Sequence, residues 1–193
     1  QYDKTLNKVL VSYASSSACY GVLGTLNADG SITFGTPLQI TSQYNLITGA
    51  IDPVQNRAVF TFLGNVYVAE ISGNNLINLQ SPVTFDATAE NYNATIYDPN
   101  SGKIIIAYSD SANSPTFRAG NIFAATVAGN TITFGQVTVF EPYNTKEFSL
   151  SIDNDTNKVI VGYSLMGGAA KCVIATITGT TITTSSPATA SPG

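Results

Sequence analysis

The sequence predicts an all-β repeat protein. Three observations carry this reading: a fourfold internal repeat, period-2 alternation of apolar residues, and no stretch with a helical period. One block runs Asp3-Lys-Thr-Leu-Asn7-Lys8-Val-Leu-Val-Ser-Tyr13, then Gly24-Thr25-Leu26, then Ile32-Thr33-Phe34-Gly35. The same order returns from Asp52, Asp98 and Asp153, and a basic residue recurs at Lys8, Arg57, Lys103 and Lys158. A period near 50 residues filled with strand signals indicates blades or a solenoid. Four antiparallel strands per repeat, arranged radially, make a four-bladed β-propeller. The whole chain, 1–193, reads as one such domain, with repeats at about 3–42, 43–86, 91–140 and 145–184 and a tail at 185–193.

Each element has a local reason. A first strand precedes the Asp in repeats two to four, at Leu46–Ile51, Asn93–Tyr97 and Phe148–Ile152. A turn Asp-x-x-x-Asn/Gly-Lys/Arg follows, where Asp caps local N–H groups and Asn or Gly accepts a positive φ. The second strand is the most apolar, at Val9–Tyr13, Ala58–Phe62, Ile104–Tyr108 and Val159–Tyr163. Its near-continuous hydrophobicity predicts burial on both faces. The third strand spans Gly21–Leu26, Val66–Ile71, Ile122–Val127 and Cys172–Ile177. Hairpin turns rich in Gly and Asn lead to the fourth, at Ser31–Phe34, Leu76–Leu79, Thr131–Phe134 and Thr181–Thr184. In three repeats this strand continues after a break, into Leu38–Ile40, Val83–Phe85 and Val137–Phe140.

The pattern Asp-x-x-x-Asn-Lys-Val-x-Val-x-Tyr, followed by Gly-Thr-Val and Ile-Thr-Phe-Gly, resembles β-propeller repeats of phage and viral tail or fibre proteins and of some secreted microbial proteins. The resemblance covers essentially the whole chain. It implies an extracellular or virion location. Its motifs are turns and core strands, which specify fold and leave function to other residues. Repeat two departs from it most: Phe62 replaces Tyr, Glu70 replaces Thr, and the loop between its second and third strands shrinks to Leu63-Gly-Asn65.

The first repeat lacks its own first strand, because only Gln1 and Tyr2 precede Asp3. An unpaired strand edge is a liability that proteins cover or pair. Three solutions are open: the tail from Ser185 returns to fill the gap, a neighbouring subunit donates a strand, or the chain belongs to a longer repeat array. The start at Gln1 fits either a removed leader or a segment of a longer polypeptide. Cys19 and Cys172 lie in the first and last repeats. If the repeats close into a ring, a disulfide between them would clasp the seam; two unpaired buried thiols are the alternative.

Composition removes several function classes. Only 10% of residues are charged and the net charge is −4, with no basic stripe for nucleic-acid phosphates. No apolar run reaches bilayer-spanning length, so membrane insertion is not expected. The absence of His removes the usual base for a Ser or Cys nucleophile and the commonest transition-metal ligand. No Gly-rich phosphate loop opens a helix, and no cofactor is expected. A sparsely charged surface rich in Ser, Thr and Asn suits an extracellular or particle-bound β protein.

Weaker candidates remain. Asp153, Asp155 and Asn157 match the opening of a calcium loop, but Lys158 stands where the loop needs Gly, so a plain turn competes with metal binding. Ser109-Asp110-Ser-Ala-Asn113 has a faint likeness to the Asp-box of sialidase-type propellers. Two arginines in different repeats cannot form the carboxylate-binding cluster such a site needs. Glu141 and Glu147, in the connector before repeat four, read as water-facing. Tyr13, Tyr108 and Tyr163 end the second strands, as a carbohydrate platform or as packing between blades. Asn93 and Asn154 open glycosylation sequons. The loops 109–118 and 165–171 are the places for adhesive function.

The expectation is therefore a non-enzymatic structural and adhesive subunit of an extracellular filament or virion appendage, such as a tail fibre. It would associate with itself or with neighbouring subunits through strand edges, and meet a cell-surface glycan through its loops. The alternative is a secreted, monomeric, lectin-like carbohydrate-binding propeller.

Overall fold

The computed structural model describes residues 1–111 and 118–191. Among them, twenty strands form four antiparallel sheets of five. The protein is a four-bladed β-propeller. Blade one comprises β1 (Tyr2–Asp3), β2 (Lys8–Ser15), β3 (Ala18–Leu26), β4 (Ile32–Phe34) and β5 (Leu38–Thr41). Blade two comprises β6 (Thr48–Asp52), β7 (Arg57–Phe62), β8 (Asn65–Ser72), β9 (Asn75–Ile77) and β10 (Val83–Thr84). Blade three has β11 (Ala89–Asp98), β12 (Lys103–Asp110), β13 (Ala119–Ala128), β14 (Thr131–Phe134) and β15 (Thr138–Glu141). Blade four has β16 (Thr145–Asp153), β17 (Lys158–Leu165), β18 (Ala170–Thr178), β19 (Thr181–Thr184) and β20 (Ala188–Ser191).

Every blade repeats one plan. The first strand pairs with the second and the second with the third, and both pieces of the broken outer strand pair with the third. The tail does not return to blade one: β20 pairs with β18 and completes its own blade. The repeated Asp turn is built as its residue types require. Asp52 Oδ1 accepts the N–H of Val54 and Gln55, and Asp98 accepts those of Asn100 and Ser101. The turn closes through a left-handed residue in each repeat: Asn7 (φ 52), Asn56 (φ 54), Gly102 (φ 66) and Asn157 (φ 55).

In blades one and two the recurrent basic residue reaches the next blade. Lys8 Nζ donates to Thr25 Oγ1 (2.8 Å) and to Asn74 of blade two. Arg57 Nε donates to Gly129 O (3.1 Å) and Asn130 Oδ1 (3.0 Å) of blade three. The Gly of Ile-Thr-Phe-Gly permits the same approach. A Cβ on Gly35 would stand 1.9 Å from Asn74 O, and one on Gly135 2.3 Å from Thr180 O.

Burial occurs between blades. One core joins Leu10, Leu23 and Ile40 to Phe60, Phe62, Ile71 and Leu76 of blade two. A second joins Val59, Val66 and Val68 to Ile104, Ile106, Tyr108 and Phe123. The third joins Ile105, Ile122 and Phe140 to Val159, Val161, Tyr163 and Val173. Each side chain of this size fully buried contributes roughly 1.5–3 kcal/mol. Among the described residues no buried cluster joins blade four to blade one.

This corrects the expectation for the second strands. Ala58–Phe62 and Ile104–Tyr108 are buried on both faces, but β2 and β17 are each buried on one only. Among the described residues, the buried clusters of blades one and four each join a single neighbouring blade.

Candidate functional site

Two places stand out: the open side of blade one, and a groove over the first strands of blades two to four.

The open side follows from the repeat. At the end of the second strand, Phe62, Tyr108 and Tyr163 point toward the preceding blade and are 1%, 2% and 4% exposed. Tyr108 meets Phe85 edge to face (5.0 Å), and Tyr163 meets Phe140 in the same way (5.1 Å). Their hydroxyls donate to Asp86 Oδ2 (2.9 Å) and Glu141 Oε2 (3.0 Å). Burial, and then the adjoining carboxylate, push both phenols far above the ordinary tyrosine range. The equivalent Tyr13 is 38% exposed and stacks on Tyr20 of its own blade (5.5 Å). Val11, Leu26, Ile32 and Phe34 are exposed on the same face, although their counterparts Ile106, Val127 and Ile132 are buried.

The strand edge there is also open. β1 pairs only with Lys8 and Val9, and Leu10 N donates to Gln1 O (2.7 Å). From Val11 to Ser15 the inner edge of β2 has no strand partner among the described residues. The first strand of blade one is thus a stub, where β11 runs for 10 residues and β16 for 9. At the other end of the chain, Ile160 and Ile174 of blade four are exposed, although their counterparts Ile105 and Ala124 are fully buried.

The groove has a volume of about 490 Å³ and is lined by Asn45, Asn91, Tyr92, Asn93, Glu147 and Phe148, with Leu46 and Thr48. Two of the three strands that shape it are irregular there. β11 is bulged between Ala89 and Asn93, and β16 between Lys146 and Ser149. Bulges re-aim side chains and are frequent beside functional sites. Glu147 sits in the second bulge at φ 55, a conformation unusual for a side-chain-bearing residue. Asn93 is 4% exposed; its Oδ1 accepts from Thr48, and its amide nitrogen has no hydrogen-bond partner among the described residues. Asn45 Nδ2 donates to Asn91 Oδ1 (2.7 Å). Sequence reasoning missed this groove, because only the tertiary fold brings its three strands together.

The sequence-predicted candidates fall as follows. Cys19 and Cys172 are free thiols, and the expected clasp is not formed. Cys19 is sealed in the core between blades one and two, where its single S–H is shared between Gln43 O and Asn45 O (3.3 Å each). Asp153 is the half-buried last residue of β16 and caps the turn that follows: Oδ1 accepts from Asp155 N and Thr156 N, and Oδ2 from Thr156 Oγ1. The Thr156 hydroxyl and then the Asp155 amide hold its carboxyl below the usual aspartate range. Among the described residues no three His, Cys, Asp or Glu side chains come together as metal ligands. Asn93 is buried, whereas Asn154 is exposed. Glu141 does not face water: it is buried and paired with Lys171 Nζ (2.8 Å). Glu147 is open to solvent as expected. The Asp-box likeness and most of the loop after Asp110 involve residues 112–117, outside the described residues.

No protein-family model matches the chain, and no curated protein matches it. The class that the fold defines is a repeat-built, four-bladed β-propeller, and the functional argument rests on its surfaces.

Proposed function

We propose that the protein is a non-enzymatic structural and adhesive subunit of an extracellular filament or virion appendage. The open side of blade one carries this reading. Three internal interfaces show what such a blade face packs against, namely the forward face of another blade. The uncovered face of blade one pairs an apolar surface with an unpaired strand edge, the combination that recruits further β structure.

The partner fitted to it is blade four of a second copy. Its forward face presents Ile160, Ile174 and Cys172 at the positions that Leu10, Leu23 and Gly21 occupy in blade one. Where blades two and three carry Phe85 and Phe140, blade four carries Ala190. That smaller residue leaves room for the additional ring that Tyr20 brings beside Tyr13. A joint of this kind is head-to-tail, so it closes a ring or extends a filament. A surface of Ser, Thr and Asn with few charges suits the extracellular setting.

Mass measurement across a concentration series, with electron microscopy of the same samples, tests this. Rings or filaments are expected, joined by a Tyr13→Cys/Ile174→Cys disulfide between copies. Isolated particles of monomer mass at every concentration would sink the assembly reading.

A further inference from the structure

We infer that the groove over blades two to four binds a neutral saccharide. The inference rests on the surface-recognition half of the proposed function and is independent of the assembly half. Its volume of about 490 Å³ lies within the usual range of small-ligand sites, roughly 300–1,000 Å³.

The lining matches the chemistry of a sugar ring. A pyranose offers apolar C–H faces and hydroxyls that both donate and accept. Tyr92 and Phe148 supply aromatic surface for the first. Asn45 and Asn91 supply amides, which also donate and accept, for the second. Glu147 adds an acceptor that binds hydroxyls strongly. The buried Asn93 amide nitrogen carries the argument furthest. An unpartnered buried donor is costly, and a ligand hydroxyl seated against the groove floor would satisfy it.

The ligand's charge is constrained as well. Glu147 is the one lining residue among those described that is charged at neutral pH, and it pairs with Lys146 (3.9 Å), so the lining offers no cation for the sulfate or carboxylate of an acidic sugar. A quaternary ammonium ion would answer the carboxylate and the rings but leave three asparagine amides idle. A single carboxylate also falls short of the pair that glycoside hydrolysis uses, so the groove reads as a binding site.

The backbone allows binding to be separated from folding. Glu147 holds a left-handed conformation that glycine adopts freely. Glu147→Gly therefore removes the acceptor while relaxing the chain. The experiment is a glycan array of neutral hexose and N-acetylhexosamine oligomers with sialylated and sulfated controls, followed by calorimetric titration of the strongest neutral hit. Choline is titrated in parallel. Expected is binding to a neutral subset, weakened about tenfold or more in Glu147→Gly, the loss of one charge-assisted hydrogen bond, and about threefold to tenfold in Asn91→Ala, the loss of a neutral one. The melting temperature of Glu147→Gly should stay within a few degrees of the parent protein, because relief of the left-handed backbone offsets the lost contacts with Ser164 and Lys146. Binding to no neutral glycan, to acidic glycans or choline alone, or binding unchanged in both variants would overturn the inference. A monomer that binds a neutral glycan sustains this inference and removes the assembly reading. A filament that binds none does the reverse.

Discussion

The four positions at the ends of the second strands form a built-in mutation series. Phe62, Tyr108, Tyr163 and Tyr13 occupy equivalent places on blades two, three, four and one. The first three are at most 4% exposed, and Tyr13 is 38% exposed. Truncation of a buried aromatic costs about 3–5 kcal/mol, a transfer loss plus a cavity. Tyr108→Ala removes contacts with Phe85 and Phe123 and leaves Asp86 Oδ2 without its phenol, so it belongs at the upper end. In Tyr13→Ala the loss is chiefly the stack on Tyr20, about 0.5–1.5 kcal/mol. For a chain of this length, 1 kcal/mol shifts the melting temperature by roughly 2–4 °C. The three buried truncations should then lower it by roughly 6–20 °C, and Tyr13→Ala by only a few degrees. Thermal or urea denaturation at concentrations where the parent is a monomer measures this. A Tyr13→Ala loss as large as that of Tyr163→Ala would refute the reasoning, because the face of blade one would then be covered within a single chain.

Four further outcomes are expected. Lys171→Met should cost about 3 kcal/mol in denaturant titrations by leaving the buried Glu141 carboxylate unpaired, and adding Glu141→Gln should restore much of it. Gly35→Ala should cost about 1–3 kcal/mol, because its Cβ would meet the Asn74 carbonyl. Gly167→Ala, with open space around it, should be neutral or slightly stabilising in the same assay. Burial raises the Asp52 carboxyl above the ordinary aspartate range, so the native state holds its proton more readily than the unfolded chain. The ionised form therefore weakens the fold above the native pKa, and that cost disappears as pH falls below the unfolded value. Asp52→Asn should raise the melting temperature at neutral pH, with the gain vanishing in acid; a gain that grows in acid would contradict the assignment.

Much of the fold was legible in the chain. The turn residues Asn7, Asn56, Gly102 and Asn157 announce a positive φ because few other residues accept it, and they mark every blade. The apolar alternation places strands to within a few residues because its period is local. The burial of Glu141 was not legible: its partner Lys171 is far along the chain, and only packing of blade four on blade three brings them together. The same holds for Cys19, a free thiol that packing seals between blades one and two. The groove was hidden because bulges in β11 and β16 leave no mark in hydrophobic patterning, and its asparagines look like ordinary loop residues.

The sequence by itself determined the number of blades, their strands and the recurrent turn, because backbone propensity and side-chain period act over a few residues. The tertiary structure alone decided which blade faces are satisfied. Tyr13, Tyr108 and Tyr163 are the same letter in the same motif. Two are core and one is surface, because burial depends on whether another blade stands opposite.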